Sequence, residues 1–524
     1  MGGNLFKTII AILMLALLAF LAGSLAADGA KQALMPVGLI IGLFVLLYLG
    51  KNCWWLVYAA SVLTPLLGIS LFANFPVAYA LSAVLLVYWL VMYVVGQVKI
   101  TWHALWPLDI ITGIFLLYFM ITWIRHPVYL NAMVDDLIAD GDAQFGGKPY
   151  VWAVAAALVY IFISIVPVKL EELIKVLKVL TWFIIPLALL GAAKVILMGG
   201  SVTPAGEDMG TAISNSRFGA FVGVSRSVYI LLVCKYSVLG FAMSPIKLAM
   251  LLFATLGIAL SGFREQMMNA AVITFVSQWL HKQLSIFVVL CVIAYAGVVY
   301  LSSEELLEDF PYGVKRVLSA VPGVKFKDNR AAGDAEGSIE WRVEMWKWAL
   351  TPSMGYIKDY VWGDGFGVSS TGLRNQSSRK FRGYVTDSNK DFARAGIWHN
   401  GAITAIHRTG YVGLAMVTCW FLIMLFYTFR LCWGVRCIVG REYICFFTIP
   451  LVSTVFLFYI SAGEFELIFS YFINVLVMKV TYVLARERGL IQPLFARKVY
   501  VPLMHREADE AGAATQKAAL PLHS

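Results

Sequence analysis

The sequence predicts an all-α polytopic membrane protein. Of its 524 residues, 60% are hydrophobic and only 14% are charged, a composition typical of chains that cross a bilayer repeatedly. The apolar residues fall into runs of about 20, the length that a helix needs to span the hydrocarbon core. These two observations exclude a soluble enzyme.

We expect about 12–14 transmembrane helices from that length rule. Fourteen candidate spans lie near 6–27, 35–50, 53–72, 76–97, 104–124, 150–167, 173–198, 227–243, 245–263, 265–281, 283–301, 410–430, 444–461 and 466–485. The first run resembles a signal peptide, and Ser24-Leu25-Ala26 resembles a cleavage site. Because the run is long enough to span, we expect an uncleaved first helix.

The charges between the spans predict the orientation, because short cytoplasmic loops are rich in Lys and Arg. With the N-terminus inside, alternate turns carry Lys7, Lys51, Lys99, Lys169, Lys247, Lys282, Arg430, Arg436, Arg441, Arg486 and Arg488. The opposite turns hold an acidic stretch at 135–142, Glu464 and Glu466, and the two longest loops, 199–226 and 302–409. We therefore expect cytoplasmic termini and external loops, and we interpret the net charge of +10 as topology, not nucleic-acid binding.

These features divide the chain into four regions. We predict a transmembrane bundle at 1–301, a large external loop at 302–409, C-terminal transmembrane helices at 410–485 and a cytoplasmic tail at 486–524. Within the loop, Ser338 is a helix-start signal, and the apolar residues that follow recur at helical spacing. We expect an amphipathic helix there that carries three tryptophans at headgroup depth, namely Trp341, Trp346 and Trp348.

Two further stretches of the loop bear on ligand binding. The glycine turn WGDGFG, Trp362 to Gly367, has no preceding strand and no following Lys-Ser/Thr, so it is not a phosphate loop. The segment Gly367–Arg394 carries six basic and two acidic residues, or 6 − 2 = +4, and would attract an anion.

No metal or other cofactor is expected. The seven cysteines lie in or beside apolar segments at no metal-ligand spacing. His407 lies two turns beyond His399, but two histidines with no third ligand make a poor metal site. The acidic residues at 135–142 are better explained as a solvated turn.

Arginines at the predicted external face are the first candidate binding residues. Arg217 and Arg342 lie in the two long loops, and Arg264 lies between two apolar helices with almost no loop to lift it into water. A guanidinium stays charged and makes paired hydrogen bonds to phosphate oxygens, so converging arginines can bind a diphosphate without a metal. The alternatives for Arg264 are snorkelling to the interface or an ion pair with Glu265 or Glu466.

His399 is the candidate base on the same face. Neighbouring arginines would keep its imidazole neutral, and a neutral imidazole can accept a proton from a hydroxyl. The alternative is a structural or interfacial histidine at a helix start.

In order along the chain, four pieces of sequence resemble the superfamily of O-antigen ligases and O-antigen polymerases, which are bacterial membrane glycosyltransferases. The pieces are Arg217-Phe218-Gly219, then Ser261-Gly262-Phe263-Arg264, then Trp341-Arg342 with Gly363-x-Gly365-x-Gly367, and finally His399-Asn400 with Thr409-Gly410 and Gly413-Leu414. The chain departs from the pattern at Val224-Ser225-Arg226, where members often have Pro-Asn; Arg226 would supply a further phosphate contact.

The resemblance implies a GT-C-like fold in the bacterial inner membrane and a metal-independent, inverting transfer. The donor would be a glycan on polyprenyl diphosphate, and the acceptor a sugar hydroxyl on a lipid-anchored glycan. His399, oriented by Asn400, would take the hydroxyl proton, and Arg217, Arg264 and Arg342 would neutralise the departing diphosphate. Ligases, polymerases and protein-directed oligosaccharide transferases share these motifs. A polytopic transporter or flippase, whose arginines bind a glycolipid headgroup, remains the alternative from another class.

Overall fold

The computed structural model describes residues 50, 53–67, 77–126, 148–197, 222–324, 326, 329–366, 398–460 and 467–492, and every regular element among them is a helix. In the N-terminal half these are α1 Trp55–Leu67, α2 Val77–Val94, α3 Trp106–Arg125, α4 Lys148–Ile165, α5 Leu170–Leu197, α6 Val222–Lys235, α7 Val238–Ala242 and α8 Pro245–Leu260. They are followed by α9 Arg264–Leu280, α10 Leu284–Ser303, α11 Tyr312–Leu318, α12 Asn329–Leu350, α13 Gly401–Gly434, α14 Arg441–Ile460, α15 Leu467–Ser470 and α16 Phe472–Glu487.

Five of the described helical segments are long and apolar enough to cross a membrane. They are Trp106–Arg125, Leu170–Leu190, Leu284–Ser303, Gly401–Cys437 and Arg441–Ile460. Shorter apolar helices cover Ala78–Val94, Pro149–Ile165 and Pro245–Leu260. Since α10 exposes Val289, Val292 and Ile293, and a helix satisfies its own backbone hydrogen bonds, such outward apolar faces are stable in lipid.

The centre of the bundle is α13, which packs against α3, α14 and α16. Trp420 of α13 stacks on Phe472 of α16 with ring centroids 5.5 Å apart, and its indole N–H donates to Thr112 of α3 at 3.0 Å. Aromatic stacking and a satisfied indole N–H together hold three helices at one buried point.

A buried ion pair links three helices of the bundle. Lys479 of α16 is fully buried and lies 2.6 Å from the Asp109 carboxylate of α3, with a second bond to Ser164 of α4 at 2.7 Å. A buried charge is tolerated only when it is paired in this way. The pair therefore fixes the register of α3, α4 and α16.

The helices begin and end at two opposite ends of the bundle. At one end, His281 after α9 bonds to Arg441 of α14 at 3.2 Å, and Arg488 after α16 pairs with Glu171 of α5 at 2.7 Å. We call the other end, which carries Arg125, the start of α9 and the start of α13, the site end. Basic residues from alternate predicted turns thus meet at the end opposite the site end.

The helix bounds correct the sequence prediction in three places. The predicted span 227–243 is broken after Lys235, because Ser237 starts a new helix by accepting a hydrogen bond from the Gly240 N–H at 3.2 Å. The amphipathic helix begins at Asn329 rather than Ser338. The span predicted to begin at 410 begins at Gly401 and is interrupted at Gly410, so the end of the predicted loop 302–409 is helical.

Several predicted features lie outside the described residues: the span 6–27, the span 35–50 except for residue 50, the acidic stretch 135–142, Glu464 with Glu466, and the tail beyond 492.

Candidate active site

A cavity of about 810 Å³ opens at the site end between α9, α11 and α12. Its polar lining consists of Arg264, Glu265, Arg316, Arg342 and His399. Its apolar lining includes Phe263, Met267, Met268, Val317, Leu318, Ile339, Val343, Trp346 and Ile460. Residues from five separated stretches of the chain therefore meet at one concave surface.

Arg264 is the first residue of α9, and a tight turn sets its direction. The turn needs Gly262, whose φ of +67° lies in the left-handed region. Ser261 stabilises it by donating to the Ile258 carbonyl at 2.6 Å and accepting from the Phe263 N–H at 3.2 Å. The N-terminal turn of α9, the positive end of the helix dipole, consequently faces the cavity and favours negative charge there.

Arg342 reaches the cavity from α12. Ile339, Arg342, Val343 and Trp346 lie on one face of this helix because residues three and four apart are neighbours. The other face buries Met345 and Ala349 against Trp398. The helix therefore presents one guanidinium and an apolar strip to the cavity.

His399 lies directly before α13 in a strained conformation. Its φ of +48° is in the left-handed region, which costs about 1–2 kcal/mol for a residue with a side chain. The backbone is held on its N-terminal side, where the Trp346 indole N–H donates to the Trp398 carbonyl at 2.8 Å. The imidazole packs against the Trp341 ring with centroids 5.3 Å apart.

The His399 environment also sets its protonation. Burial lowers the pKa of His399 from its ordinary value of 6.5, and the nearby Arg342 charge lowers the pKa further. The imidazole is thus neutral over a wider pH range than in water, which is the state that a general base requires.

Asn400 holds His399 from the other side by capping α13. Its side-chain oxygen accepts from the Ile403 N–H at 3.1 Å, and its side-chain nitrogen donates to the Tyr459 carbonyl of α14 at 3.1 Å. Asn is a favoured N-cap residue for this reason. The residue predicted to orient His399 therefore fixes its backbone to two helices.

The glycine turn is a docking element for a break in α13. Gly410 has φ +70° and ψ −177°, so the helix is interrupted there. The Asp364 and Gly365 N–H groups donate to the His407 and Arg408 carbonyls at 2.8 and 3.0 Å. The Tyr411 N–H donates to the Tyr360 carbonyl at 2.8 Å. The loop backbone thereby satisfies groups that the break releases from the helix.

Glycine is required on both sides of this contact. An added Cβ at Gly410 would overlap the Val361 carbonyl, and one at Gly363 would overlap the backbone at Arg408 and Thr409. Gly365 contributes a backbone N–H, and Gly367 lies outside the described residues. The described part of the turn thus binds the backbone of α13.

His407 contacts residues that hold the site in place. Its Nδ1 accepts from the Trp398 indole N–H at 3.2 Å, and its Nε2 faces the Asp364 carboxylate at 3.6 Å. These contacts link the residue before His399 to the glycine turn. Among the residues that the structure describes, no group of three or more His, Cys, Asp or Glu side chains is arranged to hold a metal ion.

The remaining predicted residues do not line the cavity or cannot be described. Arg226 lies in α6 and is not among the residues that line the cavity. It interacts electrostatically with Tyr471 and Glu265. Arg217 and the basic segment 367–397 lie outside the described residues.

Arg316 is the lining residue that sequence reasoning missed. It lies in the short helix α11, its side chain is only 8% exposed, and it donates to the Gly262 carbonyl at 2.9 Å. In the sequence it follows Lys315 in a short basic stretch, and such a pattern does not distinguish a buried cation from a solvated one.

Charge is the chemical property that distinguishes the cavity. Among the described residues that line it, three are arginines and one, Glu265, is a carboxylate. With His399 neutral the lining carries a net charge of 3 − 1 = +2. A cavity of this kind favours an anion with an apolar portion, and it holds a neutral imidazole beside that anion.

The chain matches no protein-family model, and no curated protein matches it significantly. Its chemistry therefore has to be inferred from the residues of the cavity.

Proposed function

We propose that this protein is a membrane glycosyltransferase of the O-antigen ligase type. The donor is a glycan on a polyprenyl diphosphate, and the acceptor is a sugar hydroxyl on a lipid-anchored glycan. The supporting observation is that Arg264, Arg342 and His399 line one cavity, although each was selected from a different stretch of sequence. The sequence resemblance supplies the donor and acceptor classes.

The arginines and the His399 imidazole have different roles in the proposed reaction. His399 accepts the proton of the acceptor hydroxyl as its oxygen attacks the anomeric carbon of the donor. The bond from that carbon to the diphosphate breaks, and the diphosphate leaves with the electron pair. Arg264 and Arg342 stabilise the charge that develops on it. Direct displacement at one carbon inverts its configuration.

The apolar lining suits a lipid-linked donor. Met267 and Met268 of α9 and Ile460 of α14 line the cavity beside the arginines, and unbranched Met side chains adapt to irregular apolar ligands. We infer that the first prenyl units lie along this wall while the diphosphate lies against the guanidinium groups.

The proposed location follows from charge and composition. The apolar helices suit a membrane, and the basic end of the bundle, opposite the cavity, corresponds to the cytoplasmic side by the positive-inside rule. We infer a GT-C-like enzyme of the bacterial inner membrane with its cavity on the external or periplasmic side.

Transfer by purified protein tests the proposal. The wild type is incubated with a polyprenyl-diphosphate glycan, a panel of lipid-linked acceptors and EDTA, beside His399→Ala. We expect product with the wild type and a loss of about 10²–10⁴-fold in the variant, the contribution typical of a general base. Full transfer by a folded His399→Ala variant contradicts the base assignment.

The acceptor that reacts separates the subclasses, because a polymerase extends a lipid-linked glycan and a ligase uses a different lipid anchor. If no acceptor reacts and the protein moves labelled glycolipid across proteoliposomes, a transporter replaces the transferase.

A further inference from the structure

The position of Arg316 suggests a further residue in the binding site. Its guanidinium lines the same cavity as Arg264 and Arg342, but it comes from α11, an element of the large loop that has no counterpart among the motifs recognised in the sequence.

Helix α11 is fixed to the turn that precedes α9. Gly313 lies so close to this turn that an added Cβ would overlap the Leu260 carbonyl. Arg316 lies one turn further along α11 and donates to the Gly262 carbonyl at 2.9 Å. These contacts hold the Arg316 guanidinium next to the first turn of α9.

At this position one guanidinium can hold the turn before α9 and bind a ligand at the same time. A guanidinium has five N–H donors in a rigid fork, so one group can donate both to the Gly262 carbonyl and to a ligand in the cavity. Three like charges around one cavity repel each other, and an anion with more than one negative charge relieves that repulsion.

We propose that Arg316 binds the diphosphate of the donor directly, as the third guanidinium that the described residues bring to the cavity beside Arg264 and Arg342. This proposal rests on the proposed function for the identity of the anion. Three guanidinium groups match two phosphoryl groups better than one, so the site selects diphosphate over monophosphate. Because Gly262 belongs to the turn that directs Arg264, the Arg316 bond also keeps these two cations aimed at the same ligand.

The test measures binding of inorganic diphosphate and inorganic phosphate to the purified full-length protein by calorimetry. Arg316→Gln is compared with the wild type and with Lys315→Gln. The control suits this purpose because Lys315 is the adjacent cation of α11, pairs with Glu308 at 3.8 Å and does not line the cavity. Thermal unfolding of each variant reports on its fold.

We expect wild-type protein to bind diphosphate more tightly than phosphate. Arg316→Gln should weaken diphosphate binding by about tenfold or more, as expected for the loss of a charge-assisted bond, and Lys315→Gln should leave it unchanged. If Arg316→Gln is poorly folded, diphosphate binding is measured with Arg316→Lys instead. The lysine ammonium can still donate to the Gly262 carbonyl but lacks the paired donors, so binding should again be weaker than in the wild type. Wild-type diphosphate affinity in a folded Arg316 variant overturns the proposal.

The transfer assay separates this proposal from the proposed function. If the wild type transfers glycan and Arg316→Gln retains both the diphosphate affinity and the donor KM, the Arg316 assignment is wrong and the transferase stands. If diphosphate binding depends on Arg316 but no acceptor reacts, the anion site stands and the transferase is wrong.

Discussion

The residue that most depends on its surroundings is His399. Its backbone is left-handed, its ring lies against Trp341, and hydrogen bonds at Trp398 and Asn400 hold the chain on either side of it. Strained conformations persist only where the surrounding structure determines them strongly. The strain at His399 therefore agrees with a residue whose side-chain direction matters.

The lowered pKa of His399 leads to a prediction about pH. A base acts in its neutral form, so kcat/KM should fall as pH decreases through the His399 pKa, and this limb should lie below pH 6.5. Arg342→Gln removes a positive charge that lowers the pKa, so the limb should move to higher pH. Lys347→Gln, an exposed change on the same helix, should not move it. An unchanged limb in Arg342→Gln would remove Arg342 from the surroundings of the base.

A substitution at Arg264 tests whether a positive charge alone is sufficient for transfer. Arg264→Lys keeps one positive charge but loses the paired donors that match phosphate oxygens. We predict a loss of about 10²-fold in kcat/KM, near the value for removing one preorganised donor. The same change at exposed Arg488, which pairs with Glu171, should have little effect. Full activity of Arg264→Lys would support the interpretation that Arg264 only snorkels to the interface.

Among the helices, α13 has the feature that most directly positions the site. Its break at Gly410 separates a short N-terminal segment, which begins beside His399, from the long membrane segment. The glycine turn and Tyr118 of α3, which donates to the Thr409 carbonyl at 2.7 Å, bond to the backbone at the break. The large loop is thus attached directly to the helix that follows His399.

Gly410→Ala should disturb this attachment. The substitution places a side chain at φ +70° and against the Val361 carbonyl, with a cost on the order of 1–3 kcal/mol. We predict a lower thermal unfolding midpoint and reduced transfer. Gly113→Ala in α3 is the matched control, because an added Cβ there meets no atom within 4 Å and Ala is favoured over Gly in helices. A Gly410→Ala variant as stable and active as Gly113→Ala would show that the docking is dispensable.

At the scale of the whole molecule, basic residues of the predicted cytoplasmic turns lie at the end of the bundle opposite the cavity. The end with Arg441 and Arg488 gathers basic residues, and the site end carries the cavity, α11 and α12. Membrane proteins retain Lys and Arg on the cytoplasmic side. The charges therefore predict that the end with Arg441 and Arg488 faces the cytoplasm and that the site end faces outward.

Thiol labelling of intact cells tests that orientation. Lys347→Cys places a thiol on an exposed position of α12, and native Cys437 is exposed near the basic end. A membrane-impermeant maleimide should label position 347 before lysis and Cys437 only after lysis, as measured by peptide mass spectrometry. The reverse pattern would place the cavity in the cytoplasm and exclude a periplasmic transferase.

The sequence by itself determined the helical class, the approximate position of most described helices and three of the residues that line the cavity. Apolar run length is a local property, so α3, α4 and α14 begin and end within a few residues of their predicted spans. Arg264 and Arg342 were recognisable because each is a charge near apolar sequence, and His399 was recognisable as a titratable group at a helix start.

Only the tertiary structure decided which of these residues meet. The cavity depends on how α9, α11 and α12 pack, and no periodicity within one segment contains that information. The same reason explains why Arg316 lines the cavity and Arg226 does not, and why α13 breaks at Gly410. The sequence does not distinguish a buried arginine from a solvated one. A buried helix breaks where other backbone groups or side chains satisfy the hydrogen bonds that the break releases.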